Sequence, residues 1–489
     1  MTCSLCPVHC TTDRPELLKS PYPELLYSSS AVPSDSQLTV IHEAILRAET
    51  KKSVVVRMID RLKRQHEQLE VFLKNHQRVV STIRRLPTEI LSEIFGHYVN
   101  TLPFRPRINV PITQVCRRFR EVALASPALW CHFWARTNKY DIRAVKLQLE
   151  WSGHMPLSID LGPVVSGGMQ GLLSASARRW QELTLELPAV PRHCLPSGED
   201  LPSLKRLSVR IRTRQMSLLP DPNPSFIKSV PALEELTLFN NHGSLSSLYF
   251  ALDWARLRVC TLNQCLLDDT LRILPLFSPG TSLTLEYCTR LGDSISPISS
   301  PISSLTVRCC SFDLVAQLLR ALAVPALETL DLSDPFVAHE TDTGGVIAEQ
   351  TFDLLARSAC PLSSLRIGGH FPEADLLRIL GSPHASGLGT LDVARSVRFT
   401  SEGLAALVNR ADPHPLANPT VVPHLRALSF YDSGHLTEAQ VLAMVTSRRP
   451  VLQSLRLEGD HCKGLGRLLS PASLKMLRQD GMLVWTPCI

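Results

Sequence analysis

The chain has 489 residues, 44% apolar and 20% charged, a globular rather than disordered composition, and its length exceeds one ordinary core, so several domains or an elongated repeat are expected. No run approaches the ~18 apolar residues of a membrane span, no signal-peptide core stands at the start, and both Asn-x-Ser/Thr sequons (Asn223-Pro224-Ser225, Asn418-Pro419-Thr420) are spoiled by Pro. The net charge of +6 is uneven: residues 38–136 hold 17 Lys/Arg against 8 Asp/Glu, and the remainder is near neutral. A cytoplasmic and/or nuclear protein with reduced, mostly buried cysteines is therefore expected.

Residues 1–37 are rich in Pro and Ser, lack periodicity and predict a mobile tail. Cys3, Cys6, His9 and Cys10 fall in C-x-x-C-x-x-H-C order, which invites a zinc reading. A structural site draws its second ligand pair from a separated segment, however, and these four lie within one short stretch, so no metal is expected. Residues 38–83 contain neither Pro nor Gly. Their apolar residues alternate at spacings of three and four from Leu38 and Ile41 through Leu73, Val80 and Ile83, interrupted at Lys52, His66 and His76. This predicts a heptad-patterned helix about 70 Å long at 1.5 Å per residue. A helix folded back on its own chain, a helical hairpin and a self-associating seam all satisfy the pattern.

Residues 84–136 predict three short helices around one apolar centre. Leu91, Ile94, Phe95 and Tyr98 form one stripe, with Pro87 suited to the first turn and Glu89 where the helix dipole favours an anion. Ile112, Val115, Cys116, Phe119, Val122 and Ala123 repeat the stripe. Ser126 suits an N-cap and Pro127 the first helical position of a third helix.

The ordered string Leu86-Pro87-Thr88-Glu89-Ile90-Leu91-Ser92-Glu93-Ile94-Phe95, then Val115-Cys116-Arg117-Arg118-Phe119-Arg120, then Pro127-Ala128-Leu129-Trp130, resembles an F-box of the type found in mushroom-forming fungi. One departure is Phe119, where that family usually has Trp. The resemblance implies docking on a Skp-type adaptor and, through it, a cullin. It also implies adaptor contact through the exposed parts of Leu86, Pro87, Ile90, Leu91 and Ile94. The basic balance of residues 38–136 fits an acidic protein partner or a nucleic acid. No nucleic-acid motif accompanies it, and a protein partner is expected.

Residues 137–154 predict a connecting helix through Ile142, Val145 and Leu149. From about 155 to 480 the pattern apolar-x-x-Leu-x-apolar recurs, centred on Leu183, Leu207, Leu236, Cys260, Leu283, Leu305, Leu330, Leu365, Leu391, Leu428 and Leu455. Spacings are 22–29 except two of 35 and 37, which imply insertions, and residues 212–229 and 412–422 also read as insertions. Pro156-Leu157-Ser158-Ile159 begins the series. Cys265, Cys288 and Cys310, with Asn241 one unit earlier, occupy the small-polar position that follows the strand. These are the period and signature of leucine-rich repeats. Segments such as 312–323 and 402–408 are helical by period. The fold class expected is α/β: a solenoid with parallel strands on its concave side and helices on its convex side, preceded by the three-helix module and the long helix.

No nucleophile elbow, phosphate-binding loop, H-E-x-x-H or dinucleotide fingerprint occurs, so neither a catalytic residue nor a cofactor is expected. Ser296-Pro297 and Ser300-Pro301 read as loop, with phosphorylation as the alternative. The concave strand face is the surface expected to bind a protein target. Of its outward residues (Glu186, Arg210, Phe239, Asn263, Glu286, Arg308, Asp331, Arg366, Asp392, Tyr431, Arg456, Glu458), Phe239, Arg308, Arg366, Tyr431 and Arg456 are the expected anchors. With the F-box resemblance this implies the substrate-recognition subunit of a cullin–RING ubiquitin ligase. The alternative is a leucine-rich interaction scaffold without a ligase role.

Overall fold

The computed structural model describes residues 19–27, 31–101, 111–135, 142–161, 167–187, 201–211, 230–240, 252–289, 297–334, 344–368, 371–394, 400–408, 421–431, 436–458, 469–479 and 481–485. The Cys3/Cys6/His9/Cys10 cluster, Asn241, Ser296 and residues 212–229 and 412–420 of the expected insertions lie outside them. The chain divides into two compact units, residues 1–91 and 92–489.

The first unit holds a short helix α1 (Pro23–Tyr27), the long helix α2 (Asp35–Val80), a 3-10 turn (Thr82–Arg85) and the first residues of α3 (Thr88–Thr101). A capping box starts α2: Ser34 N–H donates to Gln37 Oε1 at 2.9 Å, satisfying a donor that the helix leaves orphaned. With 46 residues α2 runs about 69 Å. Most of its seam is uncovered: Ile45, Val55, Ile59, Leu62, Leu69 and Leu73 all stand exposed, while Ile41 and Ala48 are half-buried. The folded-back arrangement is thus not the one observed among the described residues.

In the second unit α4 (Ile112–Val115) and α5 (Arg117–Leu124) follow α3, then a 3-10 turn Pro127–Trp130. Phe95, Val99, Ile112, Val122, Ala123, Leu129 and Trp130 form the interior. Phe119 stacks at a tilt on Phe95, ring centroids 5.0 Å apart, so an aromatic smaller than Trp still packs. Two local expectations are corrected. The second run is not one helix, because Cys116 adopts an extended conformation (φ −160°, ψ 169°) and its Sγ accepts from Phe119 N–H at 3.5 Å as an N-cap. This leaves Val115 and Cys116 exposed. Ser126 does not cap the third helix; its hydroxyl donates to Val122 O at 2.7 Å and meets Ser92 Oγ, also at 2.7 Å.

Immediately after Trp130 the backbone enters a sheet. Its strands are β1 (His132–Ala135), β2 (Leu157–Leu161), β3 (Trp180–Leu187), β4 (Arg206–Ile211), β5 (Glu235–Phe239), β6 (Val259–Asn263) and β7 (Ser282–Glu286). A short β8 (Ile298–Ser299) pairs apart from it with β10 (Leu322–Ala323). The main sheet continues with β9 (Ser304–Arg308), β11 (Thr329–Asp334), β12 (Ser364–Ile367), β13 (Thr390–Val393), β14 (Ala427–Tyr431), β15 (Ser454–Glu458) and β16 (Leu483–Trp485). All described strand pairs are parallel, and the order follows the chain. Register matches the repeat residue for residue: Ile159, Leu183, Leu207, Leu236 and Cys260 are successive partners, and the row runs on through Leu330 and Leu365 to Leu455. Every central residue of that row is buried.

Helices α6 (Ile142–Trp151), α7 (Gly167–Ser174), α8 (Leu267–Ile273), α9 (Phe312–Ala321), α10 (Gly344–Ser358), α11 (Glu373–Leu380), α12 (Ser401–Ala406), α13 (Glu438–Ser447) and α14 (Pro471–Gln479) lie between strands, most regularly from β9 onward. The amphipathic α9 shows why: Phe312, Val315, Leu318 and Leu319 are buried while Asp313 and Arg320 face outward. Arginines tie neighbouring repeats together through backbone carbonyls. Arg357 Nη2 donates to Leu319 O and Leu322 O, both at 2.7 Å, and buried Arg448 donates to Val421 O, Val422 O and Leu407 O.

After β6, β7 and β9 the chain turns through left-handed residues Gln264, Tyr287 and Cys309 (φ 54°, 51° and 51°), each two positions past the second apolar strand residue. The next residue in each case is a buried thiol. Cys265 donates to Asn263 O, and Cys310 to Arg308 O at 3.3 Å. Burial, helped by the nearby Asp269 carboxylate, pushes the Cys265 thiol up to about 12, which suits a packing role over a nucleophilic one.

Candidate protein-interaction site

Helix α3 carries two faces. Leu91, Phe95 and Val99, at i, i+4, i+8, are inward and buried, Leu91 completely. Pro87, Ile90 and Ile94 face outward, with Ile90 42% and Ile94 44% exposed, and Leu86 is half-buried at the entry to the helix. Leu91 therefore has no accessible surface for a partner and is corrected to an interior position. The outward row is an apolar ridge at helical spacing on a short, well-packed scaffold.

The strand face forms a second surface. One outward row, one residue past the central Leu, runs Thr184, Ser208, Thr237, Thr261, Thr284 and Thr306 and then becomes charged as Asp331, Arg366 and Asp392. Arg366 bridges Asp331 at 3.8 Å and Asp392 at 3.0 Å, and Arg308 reaches Asp331 at 3.5 Å. Asp331, with a side chain only 8% exposed, is held between two guanidinium groups. A second ion pair, Glu182–Arg206, sits near the other end with Ser158 Oγ donating to Glu182 at 2.9 Å. Burial raises the Glu182 carboxyl, but the hydrogen bonds from Arg206 and Ser158 outweigh it and hold the pKa below the usual carboxylate range.

The five expected target anchors do not form one cluster. Arg308 and Arg366 meet through Asp331, Arg456 is exposed on β15, and Phe239 is half-buried on β5. Tyr431 is on β14, seven strand steps from Phe239, on the order of 34 Å at about 4.8 Å per step; its side chain lies outside the described residues. Of the other outward residues, Glu186 is buried. The Asp331 network was missed in the sequence, although alternating Asp-Arg-Asp at one repeat position was the signal for it.

Among the described residues no group of three or more His, Cys, Asp or Glu could hold a metal ion, and no helix is long and apolar enough to cross a membrane. The eight described cysteines are free.

Fold and surfaces together define a parallel-sheet solenoid of leucine-rich-repeat type, with a three-helix module before it. The family model described as F-box-like matches residues 83–136, so that module is an F-box-like domain. No curated protein matches the chain. Among solved structures, a chain described as "Crystal structure of Rad7 and Elc1 complex in yeast" is similar at 14% identity and a TM-score of 0.27, over 82% of this chain and 96% of that one.

Proposed function

We propose that the chain is the substrate-recognition subunit of a cullin–RING ubiquitin ligase, docking on a Skp-type adaptor through its F-box-like domain and holding a target protein on the solenoid's strand face. The observation that carries this is the outward apolar ridge Pro87, Ile90 and Ile94, half-exposed on a helix whose opposite stripe is buried. Exposed apolar rows of this kind mark protein contacts. Leu86 flanks the ridge. On this reading residues 38–83 are a helical extension, 84–136 the adaptor-binding domain, 137–154 a connector and 155–480 the target-binding solenoid. Target anchors are the Arg308/Arg366 pair with Phe239, Tyr431 and Arg456, and ubiquitin transfer belongs to other subunits. The setting proposed is the cytoplasm or nucleus, where the eight described cysteines would stay thiols.

A second reading has its own support. β1 pairs with β2 from His132↔Ser158 to Ala135↔Leu161, Trp130 and Trp151 rings lie 4.6 Å apart, and Gln148 Nε2 donates to Trp130 O and His132 O. The module thus also covers the first edge of the sheet, which a scaffold without a ligase role would need. Affinity purification under cullin-preserving conditions with mass spectrometry separates the two. Wild type retains adaptor and cullin, and Ile90→Asp/Ile94→Asp loses both while keeping its targets. Recovery of targets with no adaptor or cullin from wild type leaves the scaffold reading.

A further inference from the structure

The seam of α2 has two rows at seven-residue steps: Leu38, Ile45, Lys52, Ile59, His66, Leu73, and three residues later Ile41, Ala48, Val55, Leu62, Leu69, His76. Its large apolar members are open in the single chain, with Ile45 49%, Leu62 58% and Leu69 62% exposed. A strict period of 3.5 over this length specifies a left-handed supercoil with another helix.

We infer that α2 pairs with α2 of a second copy of this chain, antiparallel, with the two-fold axis at the level of Arg57. Three features select this arrangement. First, a parallel in-register pair sets every seam residue against itself, so Lys52 would meet the partner's Lys52, His66 the partner's His66 and His76 the partner's His76. An antiparallel pair sets one row against the other. Second, with the axis at Arg57 each polar seam residue meets an apolar one: Lys52 the partner's Leu62, His66 the partner's Ala48, His76 the partner's Leu38. The remaining layers are apolar on both sides. Third, the flanking positions become complementary. Glu49 stands beside the partner's Lys63, and symmetry repeats the pair, whereas among the described residues neither has an ion pair within its own chain. Sliding the partner one heptad in one direction puts Glu49 beside the partner's Glu70; sliding it in the other puts His42 beside the partner's Lys63. Charge at such flanks sets orientation and register.

Full-length protein in sedimentation velocity over a concentration series tests this, with helix content followed by circular dichroism. The expected result is a reversible dimer. Lys63→Glu and Glu49→Lys each turn two attractive pairs repulsive and weaken the dimer about tenfold, and the double variant restores it. In a parallel pair Glu49 lies beside the partner's Ala44 and Lys63 beside the partner's Met58, so neither reversal would move the dimer constant. A monomer at every concentration overturns the inference. So does a dimer that ignores both reversals, or one that the double variant fails to restore.

Discussion

Replacing Leu330 by alanine removes three carbons from a row with no free surface. Leu330 is fully buried in β11, between its register partners Leu305 and Leu365. The transfer loss alone is about 2.4 kcal/mol at ~0.8 kcal/mol per methylene-sized group. The cavity left in a sheet that cannot collapse brings the expected cost to about 2–5 kcal/mol. Each strand contacts only its neighbours, so the loss falls on the β9–β11 and β11–β12 interfaces together. The matched control is Thr306→Ala, on the outward row of β9, with an expected change within about 0.5 kcal/mol. Urea unfolding followed by circular dichroism measures both, with an unchanged slope indicating comparable exposed surface. Hydrogen exchange then shows whether protection falls first at β9, β11 and β12. A cost below about 1 kcal/mol for Leu330→Ala, or an equal cost for Thr306→Ala, refutes the account of the leucine row as the solenoid's core.

Arg448→Leu strips the guanidinium donors from Leu407 O, Val421 O and Val422 O, the last of which keeps Leu425 N–H at 3.3 Å, and should destabilise by about 2–4 kcal/mol in the same assay, at ~1–3 kcal/mol for each of the two carbonyls left unsatisfied; a neutral result would mean that water replaces the guanidinium. The folded-state pKa of Glu182 is depressed, so its contribution is fully present above its unfolded value of about 4.5 and is lost as pH falls through the folded one. Wild type should therefore lose more stability than Glu182→Gln below that pH, measured as the urea midpoint across an acid series, and parallel curves would rule out the Arg206 and Ser158 contacts as the cause. Thiol alkylation read by mass spectrometry should modify exposed Cys116 rapidly and buried Cys265 only on unfolding; early modification of Cys265 would contradict its place in the turn.

The repeat was legible because one residue in every unit must be large, apolar and inward, and the register of the sheet reproduces that row from Ile159 to Leu455. Its two ends were not. β1 lies 26 residues before the Ile159 unit through Phe133, and β16 lies 29 residues after Leu455 through Val484, but each has only a fragment of the apolar pattern. The stripe of α3 could be read, yet its division into an interior Leu91 and an outward Ile90 and Ile94 depends on where neighbouring helices pack. The break at Cys116 was hidden because a thiol reads as a small apolar residue until it accepts a cap hydrogen bond. Nothing in the sequence marks Arg357 and Arg448, because their roles depend on carbonyls 26 to 41 residues away in sequence.

On the proposed reading the outward ridge of α3 grips an adaptor, while its inward stripe holds the domain together. Calorimetric titration of purified full-length chain with a purified Skp-type adaptor tests it most directly, with wild type set against Ile94→Asp. Wild type should bind, and Ile94→Asp should bind at least tenfold more weakly, because one apolar side chain at an interface is worth about 1.5–3 kcal/mol and a charge there adds desolvation. Its unfolding midpoint should match wild type. No heat of binding from wild type, or undiminished binding by Ile94→Asp, would contradict the account.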